Sequence, residues 1–495
     1  MKKYVSLIIT LLTVATVLLY VFKHKPITNM NTPSCKNCDV VIISLDTIRA
    51  RELPCFGYTR NTMPNLCRFA DQNTQFNQAY SQSSWTFPNA TSVMTGLYPS
   101  EHKMYDNILS VLQPSTPSLP KLYKKAGYQT VAIINSQETN IPFPAELLKQ
   151  FDTVISTRGL HLDQETQTWT NTFEKFSASK KPLFLYIYTT YVGYYRSTDL
   201  SLTNEFPLDP TFTPPNFVFE KKFTESMKKD AYALVEQLKQ TTTDTSTQNL
   251  YTILGKNFAA SASISQATQA FETLSDGQKL FLYQEEIARK LNPKNPSHLR
   301  YIQNLYDANL AKLDSYIAPL LTLIGDAKHS KNTLAIFYSD HGENIGDHES
   351  WGHATEPYST LTHVPLIMHV PNTKPKIHKE IIQLIDLFPT LLSFSHIQLP
   401  PKTREVNILT ETTSSKKQSY PPFTIAQLNN GNDASIKTSQ WLLLLHKDTH
   451  DVMTTRLYDL QNDPEELVDV SKHHKDVVDT LTSLYEAEIT RSNTK

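Results

Sequence analysis

The chain has 495 residues, 39% hydrophobic and 19% charged, enough for one large α/β domain with a smaller one beside it. Its 47 Lys and Arg residues against 48 Asp and Glu leave a net charge of -1. Nothing in that balance, and no Lys/Arg run, provides the basic surface that a nucleic-acid partner requires, so that class is excluded.

Residues 5–22 form an almost uninterrupted apolar run between Lys2 and Lys3 on one side and Lys23 and Lys25 on the other. At ~1.5 Å per residue this is just long enough to cross a bilayer. No small-residue cleavage pattern follows it, which favours an uncleaved signal-anchor over residues 1–26; a cleaved signal peptide is the competing reading. Lysines on both flanks make charge a weak guide to orientation. Cys35, Cys38, Cys55 and Cys67 fall in one window just after the run, and an even count there suits disulfides in an oxidising compartment. The remainder of the chain is therefore expected outside the cytoplasm, in a periplasmic, lumenal or extracellular space. All three pairings stay open: Cys35 with Cys38 makes a tight loop, whereas crossed pairs staple residues 27–38 to the following domain. A zinc site competes, with only one Cys-x-x-Cys in its favour.

Asp39-Val-Val-Ile-Ile-Ser-Leu-Asp46 reads as a buried strand ending in an acid, at the carboxyl end where open α/β sheets place their sites. In Ser84-Trp-Thr86-Phe-Pro88-Asn89-Ala90, Pro88 is placed to open a helix with Thr86 just ahead of it. A hydroxyl at that positive helix end, beside a bound metal, suits a nucleophile for sulfuryl or phosphoryl transfer. The plainer reading of Thr86 is an N-cap. Helices at 119–126, 145–151 and 164–176 alternate with strands at 130–134 and 183–189, as in a mainly parallel sheet with helices on both faces.

Residues 197–296 read as a helical insertion. It has a proline-rich entry (Pro207, Pro210, Pro214, Pro215), amphipathic stretches at 221–239 and 276–291, and a polar linker at 240–248. A lid, a partner-binding arm and a surface excursion without a role all fit it. A long periodic helix follows at 300–323.

The apolar run 334–338 then leads into Ser339-Asp340-His341-Gly342-Glu343, again at a strand's carboxyl end. Four histidines (His341, His348, His353, His363) and three acids (Asp340, Glu343, Asp347) crowd this segment; a solvated polar loop is the bland alternative. A doubly wound sheet can bring Asp46 beside Asp340, and two carboxylates with an imidazole make a divalent-metal site. Strand 364–370 and helix 381–394 come next. Strands 423–428, 441–446 and 456–460 with a helix at 474–491 then suggest a small antiparallel sheet with Trp441 in its core.

These pieces together resemble the sulfatase family of the alkaline phosphatase superfamily. The resemblance rests on Leu45-Asp46-Thr47-Ile48-Arg49, Phe56-Gly57-Tyr58, Met63-Pro64-Asn65-Leu66, Thr86-Phe-Pro88 to Thr95-Gly96, and Ser339-Asp340-His341-Gly342. Trp351-Gly-His353, Val364-Pro-Leu-Ile367, Asp386-Leu-Phe-Pro and the Leu457-Tyr-Asp-Leu to Asp463-Pro-Glu stretch follow in the family's order. It implies an alkaline-phosphatase-like, doubly wound, mostly parallel α/β domain over residues 39–400 and a smaller α+β subdomain over 401–495, to which the apolar run adds an N-terminal transmembrane helix. It further implies one divalent ion (calcium, manganese or zinc) on Asp46, Asp340 and His341, with Thr86 as nucleophile at the same ion. His353 is expected to protonate the leaving alcohol, and Asn89 and His363 to contact substrate. The partner implied is an anionic ester, either a sulfated glycan or another sulfate or phosphate ester, and the apolar run adds a membrane through residues 5–22.

The chain also departs from that pattern. The best-studied sulfatases oxidise a cysteine to formylglycine in a Cys-x-Pro-Ser-Arg context, and Thr86 and Ala90 stand where that cysteine and arginine would be. Thr47 replaces the second acid of an Asp-Asp pair, and Tyr188 and Gly193 stand where many relatives carry histidines. An unmodified threonine resembles the phosphoglycerol and phosphoethanolamine transferases and related phosphodiesterases, although the downstream blocks look like the sulfatase branch. The expectation is a membrane-anchored, sulfatase-like hydrolase of sulfate esters. Its alternatives are such a transferase or phosphodiesterase, and an inactive binding protein of the same fold.

Overall fold

The computed structural model describes residues 32–105, 110–135, 144–158, 160–193, 206, 224–241, 245–272, 290–401, 403–410, 422–448 and 450–494. The apolar run 5–22, the prolines at 207–215 and most of the stretch 276–291 lie outside the described residues. Among the described residues no helix is long and apolar enough to cross a membrane.

An eight-stranded sheet is built from β1 (Asp39–Leu45), β2 (Thr74–Tyr80), β3 (Gln129–Asn135), β4 (Thr153–Ser156), β5 (Leu183–Thr189), β6 (Thr333–Tyr338), and, after the short β7 (Asn344–Ile345) and β8 (Trp351–Gly352), β9 (His363–His369) and β10 (Lys376–Gln383). Its order is β10-β2-β9-β6-β1-β5-β3-β4. β9 runs antiparallel to both its neighbours, and the other pairings are parallel. β1, β5 and β6 are central because they are apolar on both faces: Ile42, Ile43, Leu185, Ile187, Leu334 and Ile336 are all wholly buried. Each such side chain stabilises the fold by ~1.5–3 kcal/mol relative to exposure. Because β1 lies between β5 and β6, the chain turns after Leu45 and after Tyr338 emerge side by side at one sheet edge. That adjacency creates the site.

Several expectations need correction. The helix expected at 381–394 begins later: Ile381, Ile382 and Gln383 complete β10, a 3-10 turn Leu384–Asp386 follows, and the helix is Leu387–Phe394. A short apolar run has no period that separates strand from helix. Thr86 is not an N-cap, because the helix Thr86–Thr95 already includes it and extended Trp85 holds the cap position. The cysteines pair locally, Cys35 with Cys38 and Cys55 with Cys67, which excludes both the crossed staple and a zinc site.

The insertion contributes helices Glu225–Thr241, Thr245–Phe258 and Ile264–Glu272, which share a small core including Val235, Leu254 and Phe271. After the main sheet, β11 (Thr424–Leu428), β12 (Asp433–Lys437), β13 (Trp441–Lys447) and β14 (Met453–Asp459) form an antiparallel meander against the helix Lys475–Thr494. Trp441 is only half-buried there, with its indole against His474 at 5.1 Å. Buried Arg404 ties this helix to the main domain through Glu488, Asp386 and the Tyr98 hydroxyl.

Candidate active site

Asp46 sits one residue beyond β1, and Asp340 and His341 sit two and three residues beyond β6. Parallel pairing brings them together, so that a carboxylate oxygen from each acid and a nitrogen of His341 lie within 4.8 Å of one another, all buried. His341 Nε2 is 3.3 Å from Asp46 Oδ1 and 3.9 Å from Asp340 Oδ2. The imidazole's other nitrogen, Nδ1, donates to the Gly342 carbonyl at 2.8 Å. That bond leaves the Nε2 lone pair facing the acids, the tautomer a metal ligand needs.

The turns are held by buried hydrogen bonds. Ser339 Oγ accepts from the Ile48 amide and donates to the His341 carbonyl, both at 2.8 Å, joining the two turns directly. Thr47 has φ 62°, strained for a β-branched residue, and its carbonyl accepts from the Tyr306 hydroxyl at 2.6 Å. Gly342 is required because a Cβ there would lie 2.1 Å from the Thr360 carbonyl oxygen. Buried Arg49 grips Asp347 with two bonds, at 2.7 and 3.2 Å, and donates to the Glu343 carbonyl at 3.1 Å.

The helix Thr86–Thr95 points its first residue into the cluster. Thr86 Oγ1 is 2.9 Å from His341 Nε2 and 3.5 Å from Asp46 Oδ1. Three residues on, wholly buried Asn89 accepts from the Gln82 amide at 2.9 Å and donates to the Asp340 carbonyl at 2.6 Å. Its carbonyl oxygen and an amide hydrogen therefore fix the Gln82 and Asp340 backbones. His353 is tilted against His341 with ring centroids 4.4 Å apart, and its Nδ1 lies 2.6 Å from Oε2 of fully buried Glu343. The following loop is pinned beside Thr86 by the Ala354 amide, which donates to the Ser84 carbonyl at 2.9 Å.

The other charged residues of the segment go elsewhere. Asp347 serves Arg49 and Arg51, and His348 stacks on Tyr358 at 3.6 Å. His363 stacks on Tyr80 and bonds the Asn77 carbonyl at 2.8 Å, in the wall of a separate cavity. Tyr188 and Gly193, by contrast, both belong to the site. Tyr188 is wholly buried, with its hydroxyl facing Thr86, Asp46 and Asp340. A Cβ on Gly193 would lie 3.3 Å from Asp46 Oδ2, so this position sets only backbone against that acid. Register decides this placement: Tyr188 pairs with Ser44 at the carboxyl end of β5, level with the site.

Burial, and then the charges of Asp340 and Glu343, push the Asp46 carboxyl well above its usual range. Burial lowers His341, which stays neutral. Asp340 Oδ2 is buried with no hydrogen-bond partner among the described residues. Two crowded acids, an imidazole presenting a lone pair and an orphaned carboxylate oxygen fit a divalent cation. Tyr188 is raised as well, chiefly by burial, and so remains a proton donor.

Residues 39–397 match the family model "Sulfatase", and residues 350–491 match "N-sulphoglucosamine sulphohydrolase, C-terminal". The chain is 24% identical to iduronate 2-sulfatase of Homo sapiens over 424 residues, covering 74% of this chain and 70% of that protein. An enzyme solved with its substrate D-glucosamine-2-N,6-O-disulfate superposes with a TM-score of 0.61 at 18% identity, over 93% of this chain and 99% of that one. The phosphonate monoester hydrolase of Agrobacterium radiobacter superposes with a TM-score of 0.60 at 15% identity, over 92% of this chain and 95% of that one. At such identities the superpositions show the fold. The family match extends across the main sheet and every residue of the acid–imidazole cluster, so the chain belongs to the sulfatase family of sulfuric ester hydrolases.

Proposed function

We propose that the protein hydrolyses sulfate esters with the Thr86 hydroxyl as nucleophile and with Asp46, Asp340 and His341 holding one divalent ion. The carrying observation is the position of Thr86 Oγ1, 2.9 Å from His341 Nε2 at the mouth of the buried acid cluster. Such an ion, when bound, supplies Lewis acidity at the ester oxygens and charge that favours the ionised nucleophile. The chain's own residues do the rest. Thr86 supplies the attacking oxygen, presented by the first turn of its helix. Asn89 fixes Asp340, and Ser339 fixes both turns, so the cluster is preorganised before substrate arrives. His353, oriented by buried Glu343, donates a proton to the leaving alcohol. Tyr188 presents a hydroxyl beside Thr86, suited to a non-bridging oxygen of the ester.

A second reading draws support from the threonine itself. An adduct on Thr86 is a plain alkyl ester with no second hydroxyl on the same carbon to drive its collapse, so release depends on attack by water or another alcohol. That chemistry suits phosphoryl transfer or phosphodiester hydrolysis as well as sulfate release. The apolar run 5–22 and the two disulfides favour a membrane-anchored, extracytoplasmic protein, and the substrate class would be an anionic ester such as a sulfated glycan.

The test is turnover of an aryl sulfate and an aryl phosphodiester, with metal content, by wild type and Thr86→Ala. Bound divalent metal with sulfate-ester turnover that Thr86→Ala abolishes is the expected result. Phosphodiester turnover alone selects the second reading, and a metal-free protein inert to both rejects each.

A further inference from the structure

At the same sheet edge, on the far side of Arg49 from the catalytic cluster, a cavity of about 310 Å³ lies between the main domain and the C-terminal meander. Its walls come from β2, the start of β9, the helix Ser359–Thr362, the turn after β12 and the segment Pro464-Glu465-Glu466. Among the described residues, three shielded polar groups of this wall lack adequate protein partners. The Lys437 side chain is 9% exposed, and its ammonium lies 3.8 Å from Glu466 Oε1, beyond hydrogen-bond reach. Glu466, 2% exposed, uses Oε2 to accept from the Ser359 amide at 2.9 Å, while its Oε1 accepts no hydrogen bond. The Ser359 hydroxyl is buried and likewise unpartnered. Most buried polar groups are satisfied, and buried charges separated by a gap are costly, so three such groups around one cavity indicate a ligand that bridges them.

The groups specify its chemistry. Lys437 and Ser359 offer donors and require acceptor oxygens, whereas Glu466 offers an acceptor and requires a hydroxyl donor. Arg49 and Arg51 also line the cavity, but their charges are taken up by Asp347, Glu52 and Glu465, so Lys437 and Glu466 are the charged groups left to face a ligand. The Tyr80 ring, 5.3 Å from the Lys437 ammonium, forms an apolar wall. The volume equals roughly ten waters at ~30 Å³ each, room for a ligand of monosaccharide size.

We propose that this cavity binds a polyhydroxylated monocarboxylate of about six carbons, its carboxylate on Lys437 and Ser359 and a hydroxyl donated to Glu466. The site is separate from the ester chemistry and stands whether or not that reading holds.

The test is isothermal titration of the full-length protein with D-gluconate, with D-glucose and sulfate as controls. Gluconate is expected to bind, glucose at least tenfold more weakly, and sulfate without displacing it, because sulfate has no hydroxyl for Glu466. Lys437→Met is expected to weaken gluconate about ten- to a hundredfold, the range of one charge-assisted contact. Ser359→Ala is expected to weaken it several-fold with ester turnover unchanged, and it decides the matter should Lys437→Met fail to fold. Asp340→Asn is expected to leave gluconate binding intact. Absence of gluconate binding, equal binding of glucose, binding that both cavity variants leave unchanged, or binding lost in Asp340→Asn would each overturn the proposal.

Discussion

Asp347→Ala removes the carboxylate that two arginines share, and the structure sets the scale of the loss. The Arg49 side chain is 1% exposed and holds Asp347 through two bonds, with Glu52 Oε2 at 3.0 Å as its other ionic partner. Removing one partner of a buried pair costs about 3–5 kcal/mol, mostly because the remaining charge is stranded. Glu52 retains part of the compensation and Asp347 is 13% exposed, so the expected loss lies at the low end, about 3 kcal/mol. Glu465→Ala is the control, since its pair with Arg51 is exposed at 59% and 40% and such pairs contribute about 0–1 kcal/mol. Urea denaturation of both variants measures the difference. Arg49 also holds the Glu343 carbonyl, and Glu343 orients His353, so Asp347→Ala should lower kcat under conditions where it remains folded. Stabilities of Asp347→Ala and Glu465→Ala within about 1 kcal/mol of each other would refute this account of the turn.

Asn89→Ala strands the Gln82 amide and frees the Asp340 carbonyl, with an expected cost of about 1–3 kcal/mol by thermal or urea denaturation and a fall in kcat larger than any change in KM. His353→Ala should slow esters of poor leaving groups by about 100-fold or more, yet leave a nitrophenyl ester nearly unaffected, because only the former need a proton in the transition state. Equal losses on both substrates would remove His353 from that role. His102 is held neutral by burial, its pKa lowered to about 3 from 6.5, while its Nδ1 accepts from the Met104 amide at 2.9 Å. Between those values the unfolded chain binds more protons than the folded one, so stability should fall as pH drops from 6.5 toward 3. His102→Gln should flatten that limb in denaturation curves recorded across the range.

What could be read from the residues follows burial. β1, β5 and β6 announce themselves as continuous apolar runs because both faces are covered, and the acids after β1 and β6 inherit their positions from those strands. β2 (Thr-Gln-Phe-Asn-Gln-Ala-Tyr) and β10 (Lys-Ile-His-Lys-Glu-Ile-Ile-Gln) carry polar and charged residues near one sheet edge, where packing selects little, and the residue pattern gave no notice of either. Tyr188 was legible only as a missing histidine. Its own part in the site depends on register with β1, which a single strand's pattern does not carry. The Arg49–Asp347 grip joins residues 298 apart, and no local period records such a pair.

The central claim is that Thr86 takes up the transferred group, and peptide mapping by mass spectrometry of enzyme quenched during turnover tests it most directly. With an aryl sulfate, the account predicts a mass gain of one sulfuryl group on the peptide carrying Thr86, absent from Thr86→Ala and absent without substrate. Turnover with no adduct on that peptide, or turnover that persists in Thr86→Ala, would contradict it.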